Sequence, residues 1–262
     1  MRIGLYILIL QLITFTVISQ NLVPNWSFED TVNCPYSAGQ INFAKHWFSP
    51  TNGTPDYFNS CSSNHGVPMN SYGTQNARTG VSYAGIVLYA SWSAEFREYI
   101  TIELIDTMIN DCKYAISFYV SLTDDNFIAT NNIGTYFTTD SFHISTSDYL
   151  SFTPQFENDS LNSLNNKIDW VQVLGIYKAS GIEKYITIGN FRSDSLTDTT
   201  LLGTLPATAY YYIDDVSVFP CANDTTIDTL FCGPDSILVA GKYYSQTGTY
   251  YDTLTNVLGC DS

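Results

Sequence analysis

The chain has 262 residues, of which 45% are apolar and only 13% charged, so it is long enough to bury one sizeable core. Its 25 acidic residues outnumber 10 basic ones, giving a net charge of −15. That balance argues against nucleic acid or an anionic membrane surface as a partner. Abundant Tyr, Phe, Asn, Thr and Ser instead suit an extracellular all-β protein.

Residues 1–19, "MRIGLYILILQLITFTVIS", combine one basic residue, an unbroken apolar run and the small Ser19. This pattern predicts a secretory signal peptide. A membrane anchor is the competing reading of so long a run, but no basic flank follows Gln20. Cleavage would remove Arg2, take the net charge to −16 and leave no segment for membrane insertion, so the mature chain is expected outside the cell, secreted or attached to the surface.

Residues 20–220 are expected to form one domain. Short β-rich runs recur between turn residues: "NLVPNWSFE", "YAGIVLYA", "REYITIELI", "YAISFYVSL", "NIGTYFTTDSFHI", "WVQVLGIYKA", "KYITIGNF" and "YYYIDDVSV". Eight candidate strands with almost no helical period predict an all-β fold, a two-sheet antiparallel sandwich. In "KYITIGNF", Ile186 and Ile188 face one way while Tyr185 and Thr187 face the other, as a half-buried antiparallel strand requires. The stretch from Thr51 to Gly80 lacks such alternation and reads as a structured loop region, where binding residues are commonly carried.

Residues 221–262 change texture. "SILVAGKYY" and "GTYYDTL" are too β-rich for a disordered tail and predict a partial small β module. Six cysteines without a CxxC pair, in a chain routed to an oxidising compartment, predict disulfides rather than metal or redox chemistry. The local choices are Cys34 with Cys61 and Cys232 with Cys260, leaving Cys112 and Cys221 to pair or stay free.

Asp214 and Asp215 stand side by side inside "YYYIDDVSV", where two carboxylates need a cation, a donor network or water. "NLVPNWSFED" ends in Glu29 and Asp30, and the first and last strands of a jelly roll commonly lie together. Three or four hard oxygen ligands would then converge and suit Ca²⁺. Strand alternation allows at most one of Asp214 and Asp215 to point into such a site; the alternative is that one aspartate caps backbone donors while the other is solvated.

The opening Asn-Leu-x-x-Asn-x-x-Phe-Glu, the early Trp47 and the closing Tyr-Tyr-Ile-Asp-Asp-Val resemble the galactose-binding-like jelly rolls that include family 4 and family 22 carbohydrate-binding modules. The resemblance implies a structural calcium tying the two ends of the domain together, carried here by Glu29 and the Asp214–Asp215 pair. Trp26 departs from it, since the related modules usually have Gly there. "NCPYSAGQINFAKHWFSPTNGTPDYFNSC" and "GVPMNSYGTQNARTGVSYAGIVLY" resemble the N-terminal region of large surface proteins of gliding bacteria exported by type IX secretion.

No GxSxG, HExxH, P-loop or GxGxxG motif is present. His46, His65 and His143 are scattered, and the nominal carboxylates for a hydrolase, Asp56, Glu95, Glu98, Asp124 and Asp125, show no spacing that singles out a pair. Binding is favoured over catalysis, because sugars stack on flat rings while neighbouring polar groups hold their hydroxyls. The loop region offers Trp47, Asp56, Tyr57, Phe58, Tyr72 and Trp92 for that purpose, with Asn59, Asn70, Gln75 and Arg78 beside them. The expected partner is a surface or extracellular polysaccharide; a purely structural spacer and a carbohydrate-active hydrolase are the alternatives.

Overall fold

The computed structural model describes residues 20–204, 208–221, 237–239 and 242–244. In chain order they form β1 (Asp56–Asn59), a small hairpin of β2 (Met69–Asn70) and β3 (Gly73–Thr74), the long β4 (Ser82–Ala90), β5 (Ile100–Glu103), β6 (Lys113–Leu122), β7 (Ile128–Thr130), β8 (Gly134–Thr138), β9 (Phe156–Glu157), β10 (Val171–Lys178), β11 (Tyr185–Gly189), β12 (Thr199–Leu201) and β13 (Thr208–Pro220). A further hairpin, β14 (Ile237–Val239) with β15 (Lys242–Tyr244), falls in the segment read as β-rich. The signal-peptide reading of residues 1–19 and the Cys232–Cys260 pairing lie outside the described residues.

One sheet has the order β1-β4-β13-β6-β10 and the other β5-β11-β8-β9, every pairing antiparallel. This is the all-β jelly-roll sandwich that the sequence predicts. Between the sheets Ile86, Leu88, Ile116, Phe118, Tyr211, Ile213, Ile186 and Ile188 form the main core, all fully buried. Burial of each such aliphatic or aromatic side chain contributes about 1.5–3 kcal/mol.

Both outer faces are covered as well, which explains why the central strands read as near-continuous apolar runs rather than alternating ones. On the five-stranded sheet, Phe58, Tyr83, Val87, Tyr210 and Tyr212 form a second cluster, against which Val67, Tyr72, Ala77 and Trp170 pack. Residues 60–81 therefore roof this face. On the four-stranded sheet, Tyr99, Leu150 and Phe191 join Tyr136, Phe142 and Phe152 under the segment after β8.

Two expectations about local structure are corrected. "NLVPNWSFE" is not a strand, because Asn25 (φ 44°) and Phe28 (φ 62°) adopt left-handed backbone that interrupts extension. It still runs beside β13: Leu22 N–H donates to Val218 O at 2.9 Å and Val216 N–H to Trp26 O at 2.9 Å. Conversely, Asp56–Asn59, read as loop, is a fully buried edge strand paired with β4.

Cys34 and Cys61 are joined, with 27 residues of sequence separation, and their bond ties the N-terminal segment to the roof. Cys221 is also disulfide-bonded, whereas Cys112 is a free, half-buried thiol. Replacing Cys34 and Cys61 with Ser should lower stability by roughly 3–4 kcal/mol in the chain-entropy account of a loop this long. Urea unfolding with a lower midpoint, and a slope that rises because the unfolded chain is no longer cross-linked, is the expected readout; an unchanged midpoint would show that the roof is held by its packing alone.

Candidate functional site

The Asp214–Asp215 pair sits where β13 breaks register with β6, between Asp214 and Ser217. Asp215 has φ 52°, a left-handed conformation that a non-glycine residue adopts only when its surroundings hold it there. The bulge cancels the alternation of a regular strand, so both carboxylates meet the same short segment, Arg78–Thr79. Asp214 Oδ2 accepts the backbone N–H of Arg78 at 2.8 Å and of Thr79 at 3.4 Å, while its Oδ1 accepts Asp215 N–H at 2.7 Å. Asp215 accepts from Thr79 Oγ1 at 2.5 Å and from the Arg78 guanidinium. That guanidinium also lies 3.4 Å above the Tyr119 ring centre. Burial first, and then the Asp215 charge, push the Asp214 carboxyl far above its ordinary range.

Glu29 lies on the far side of the same turn, where its Oε1 accepts Val81 N–H at 2.9 Å. Gly80, at φ +66°, leaves room for it: a Cβ there would come within 2.3 Å of the Glu29 carboxylate. Asp30 is exposed and engages Asn25 and Lys45 through its backbone. Three of the four carboxylates, Glu29, Asp214 and Asp215, are thus held by separate donors of the 78–81 turn, and Asp30 makes no hydrogen bond with it. Among the described residues no three Asp, Glu, His or Cys side chains come together to hold a metal. With a guanidinium already against Asp215 and three N–H donors on Asp214, this donor set does not fit calcium as it is arranged. The two ends of the domain are joined by backbone and side-chain hydrogen bonds, Asn21 included: its Oδ1 accepts Val218 N–H and its Nδ2 donates to Val216 O.

The rings anticipated for sugar stacking divide sharply. Trp47, Tyr57 and Phe58 are buried and leave no face to a ligand: Trp47 stacks on Phe28 at 4.7 Å, Tyr57 donates to Phe28 O at 2.9 Å, and Phe58 sits among Tyr83, Tyr72 and Tyr212. Tyr72 is half-buried with one face committed to Tyr210 at 4.2 Å. Trp92 is 63% exposed, touching Phe96 and donating to Thr208 Oγ1 at 3.2 Å. Asp56 is buried, accepting from Gly39 N–H at 2.6 Å and from the Tyr210 hydroxyl. Gly85 makes that last contact geometrically possible, since a Cβ there would lie 2.3 Å from Tyr210 Oη.

Near Asp56, Glu98 is buried too: its Oε1 accepts from Thr54 N–H and Oγ1 at 3.0 Å each, and its Oε2 from Val87 N–H at 3.0 Å. Burial, then the Asp56 charge, raise its pKa to about 7.

What the sequence did not single out is a groove of about 400 Å³ between the roof and the turn before β10. Gln75, Asn76 and Arg78 form one wall, and Asp124, Lys167, Asp169 and Trp170 the other. Trp170 Nε1 donates to Asn76 O at 3.0 Å, and its ring stands edge-on to Tyr83 at 5.8 Å, half-buried. Lys167 Nζ is committed to the carbonyls of Asp124 and Asn126, both at 2.7 Å. The result is a partly open indole beside amide and carboxylate groups, a combination that stacks one flat apolar face while hydrogen-bonding a hydroxylated edge. Gln75 and Arg78 were visible as polar loop residues; the orientation of Trp170 depends on the register of β10 against β6 and carried no signal of its own.

No family model matches this chain, and no curated protein matches it significantly. Among solved structures it is similar to the K2 cleaved adhesin domain of Lys-gingipain (13% identical over 74% of this chain and 94% of that one, TM-score 0.40). It is also similar to a xylan-binding domain from carbohydrate-binding module family 22 (12% identical, 76% and 94% covered, TM-score 0.40), and to the CBM22-1 xylan-binding domain of Paenibacillus barcinonensis Xyn10C (14% identical, 74% and 90% covered, TM-score 0.36).

Proposed function

We propose that this chain is a non-catalytic glycan-binding or adhesion module of an exported surface protein, and that it holds its ligand in the groove walled by Trp170. The carrying observation is the groove itself: a half-buried indole flanked by Asp124 and Asp169 and faced by Gln75 and Asn76 across about 400 Å³. Export, by the type IX route of gliding bacteria, rests on the sequence resemblance and the residue 1–19 pattern. No helix among the described residues is long and apolar enough to cross a membrane. A hydrolase reading would need two carboxylates flanking a bound sugar. The buried carboxylates Asp56 and Glu98, and the adjacent pair Asp214 and Asp215, are all held by internal donors, and none of the four lines this groove.

Affinity electrophoresis and a glycan array with the full chain test the reading. Trp170→Ala should weaken retention on the best neutral polysaccharide about tenfold, the scale of one lost stacking contact together with its apolar burial. Trp92→Ala, which removes an exposed ring outside the groove, should leave retention unaltered. Absence of retention by any glycan would favour the spacer reading, and loss through Trp92 alone would move the site to the β4–β13 end of the sheet.

A further inference from the structure

A second cavity, of about 510 Å³, opens on the opposite sheet and is lined by His46, Phe48, Ser49, Glu103, Ser141, Phe142, His143 and Tyr185. Three different elements build it. Glu103 on β5 and Tyr185 on β11 are cross-strand partners whose side chains share the outer face. Phe48 is bridged to Thr101 of β5, which brings His46 alongside, and Ser141 to His143 descend from the segment after β8. Phe48, Phe142 and Tyr185 are half-buried, so their rings form apolar walls, whereas His46 and His143 stand exposed at the rim.

The charged groups around the cavity differ in how far they are committed. Glu103 is paired with Lys184 at 2.9 Å, and the hydrogen bond from Lys184, followed by that from Tyr185, holds its carboxyl below the usual range. Asp140 acts on Lys184 from the segment after β8. Ser49 donates its hydroxyl inward to the carbonyls of Thr51 and Gly53, both at 3.0 Å. Neither imidazole takes part in a hydrogen bond or ion pair with the described residues, although His46 acts electrostatically on Glu103, so the N–H and N groups of these two rings are left facing the opening. Glu103, Lys184 and Asp140 together leave one net negative charge; two imidazolium ions would turn this local balance positive, on a protein that is otherwise strongly acidic.

From this arrangement we infer that the cavity is a second binding site, taking an acidic saccharide whose ring lies against Phe142 and Tyr185 and whose carboxylate is held between His46 and His143. A carboxylate matches two convergent N–H donors. Imidazole is in general the side chain whose charge changes between pH 8 and pH 5, so comparing those conditions probes a site built on two such rings. Elsewhere the acidic surface repels a polyuronate, so its attachment would be confined to this cavity.

The probe is polygalacturonate in calcium-free buffer, with a neutral galactan as control, using the full chain in affinity electrophoresis and calorimetry at pH 5.5 and pH 8. The expected result is affinity for polygalacturonate about tenfold tighter at pH 5.5, the order of two exposed charge contacts, with the galactan insensitive to pH. His46→Gln combined with His143→Gln should abolish the acid-dependent gain while leaving the melting temperature unchanged, since both side chains are exposed. The Trp170→Ala variant should retain it, which separates this site from the groove on the other sheet. Equal binding by the double histidine variant at pH 5.5, loss through Trp170→Ala, or no binding of polygalacturonate by the unaltered chain would each overturn the inference.

Discussion

Arg78→Met should destabilise the domain by about 3 kcal/mol. Among the described residues the guanidinium is the one positive charge paired with Asp215, whose side chain is only 4% exposed. Removing one partner of a buried ion pair leaves the other charge without compensation, at a cost of 3–5 kcal/mol. The lower end applies because the Arg78 side chain is itself 34% exposed and water replaces part of what is lost. Methionine keeps much of the aliphatic stem and a soft contact with the Tyr119 ring, so the loss reports charge more than packing. Thermal unfolding of both proteins with and without EDTA completes the test. If the arginine does the neutralising, chelation leaves the melting curve of the unaltered protein in place. A marked fall on chelation would instead show that a bound cation holds the aspartates and that the guanidinium is displaced when it binds.

The same pair shows how far sequence reasoning reaches. Eight apolar runs predicted eight strands, and seven of these match strands of the sandwich, because β-branched and aromatic residues packed on both faces leave a dense local signal. Period-two alternation, however, placed Asp214 and Asp215 on opposite faces. The bulge that turns both toward Arg78 requires left-handed backbone at Asp215, and a non-glycine residue gives no warning of it. β1 was hidden for a related reason: its four residues lie among Pro, Gly and Asn, and only their pairing with β4 marks them as a strand. The Cys34–Cys61 bracket was legible because both cysteines flank one loop-rich stretch. Ring exposure was not legible. Whether Trp47 enters the core or Trp170 lines a groove depends on how a loop crosses a sheet, and the two indoles look alike in sequence.

The domain as a whole should gain stability as pH falls from about 8 to about 5, by several kcal/mol. Three buried carboxyls set the sign. Asp214 and Asp56 are pushed up by burial, and Glu98 is raised to about 7 by burial and the Asp56 charge. A carboxyl raised in the folded state holds its proton there at a pH where the unfolded chain has released it. The folded state therefore binds more protons, and stability falls as pH rises from the ordinary carboxylate range through the raised value. For Glu98 that window runs from its ordinary 4.5 to about 7, and each pKa unit is worth about 1.4 kcal/mol. Glu183 works the other way. Although burial opposes it, donors from Ser180 and Tyr177 hold its carboxyl down at about 2, so its contribution is present above pH 4.5 and lost only below it. Stability should consequently peak near pH 5 and decline at stronger acidity. Chemical denaturation between pH 3 and pH 9 checks the profile, and Glu98→Gln tests its origin: the variant should lose part of the slope between pH 5 and pH 7, since a neutral amide no longer titrates. A profile that is flat from pH 5 to pH 8, or that rises with pH, would mean that Asp56, Glu98 and Asp214 are ionised in the folded protein and compensated by donors in full.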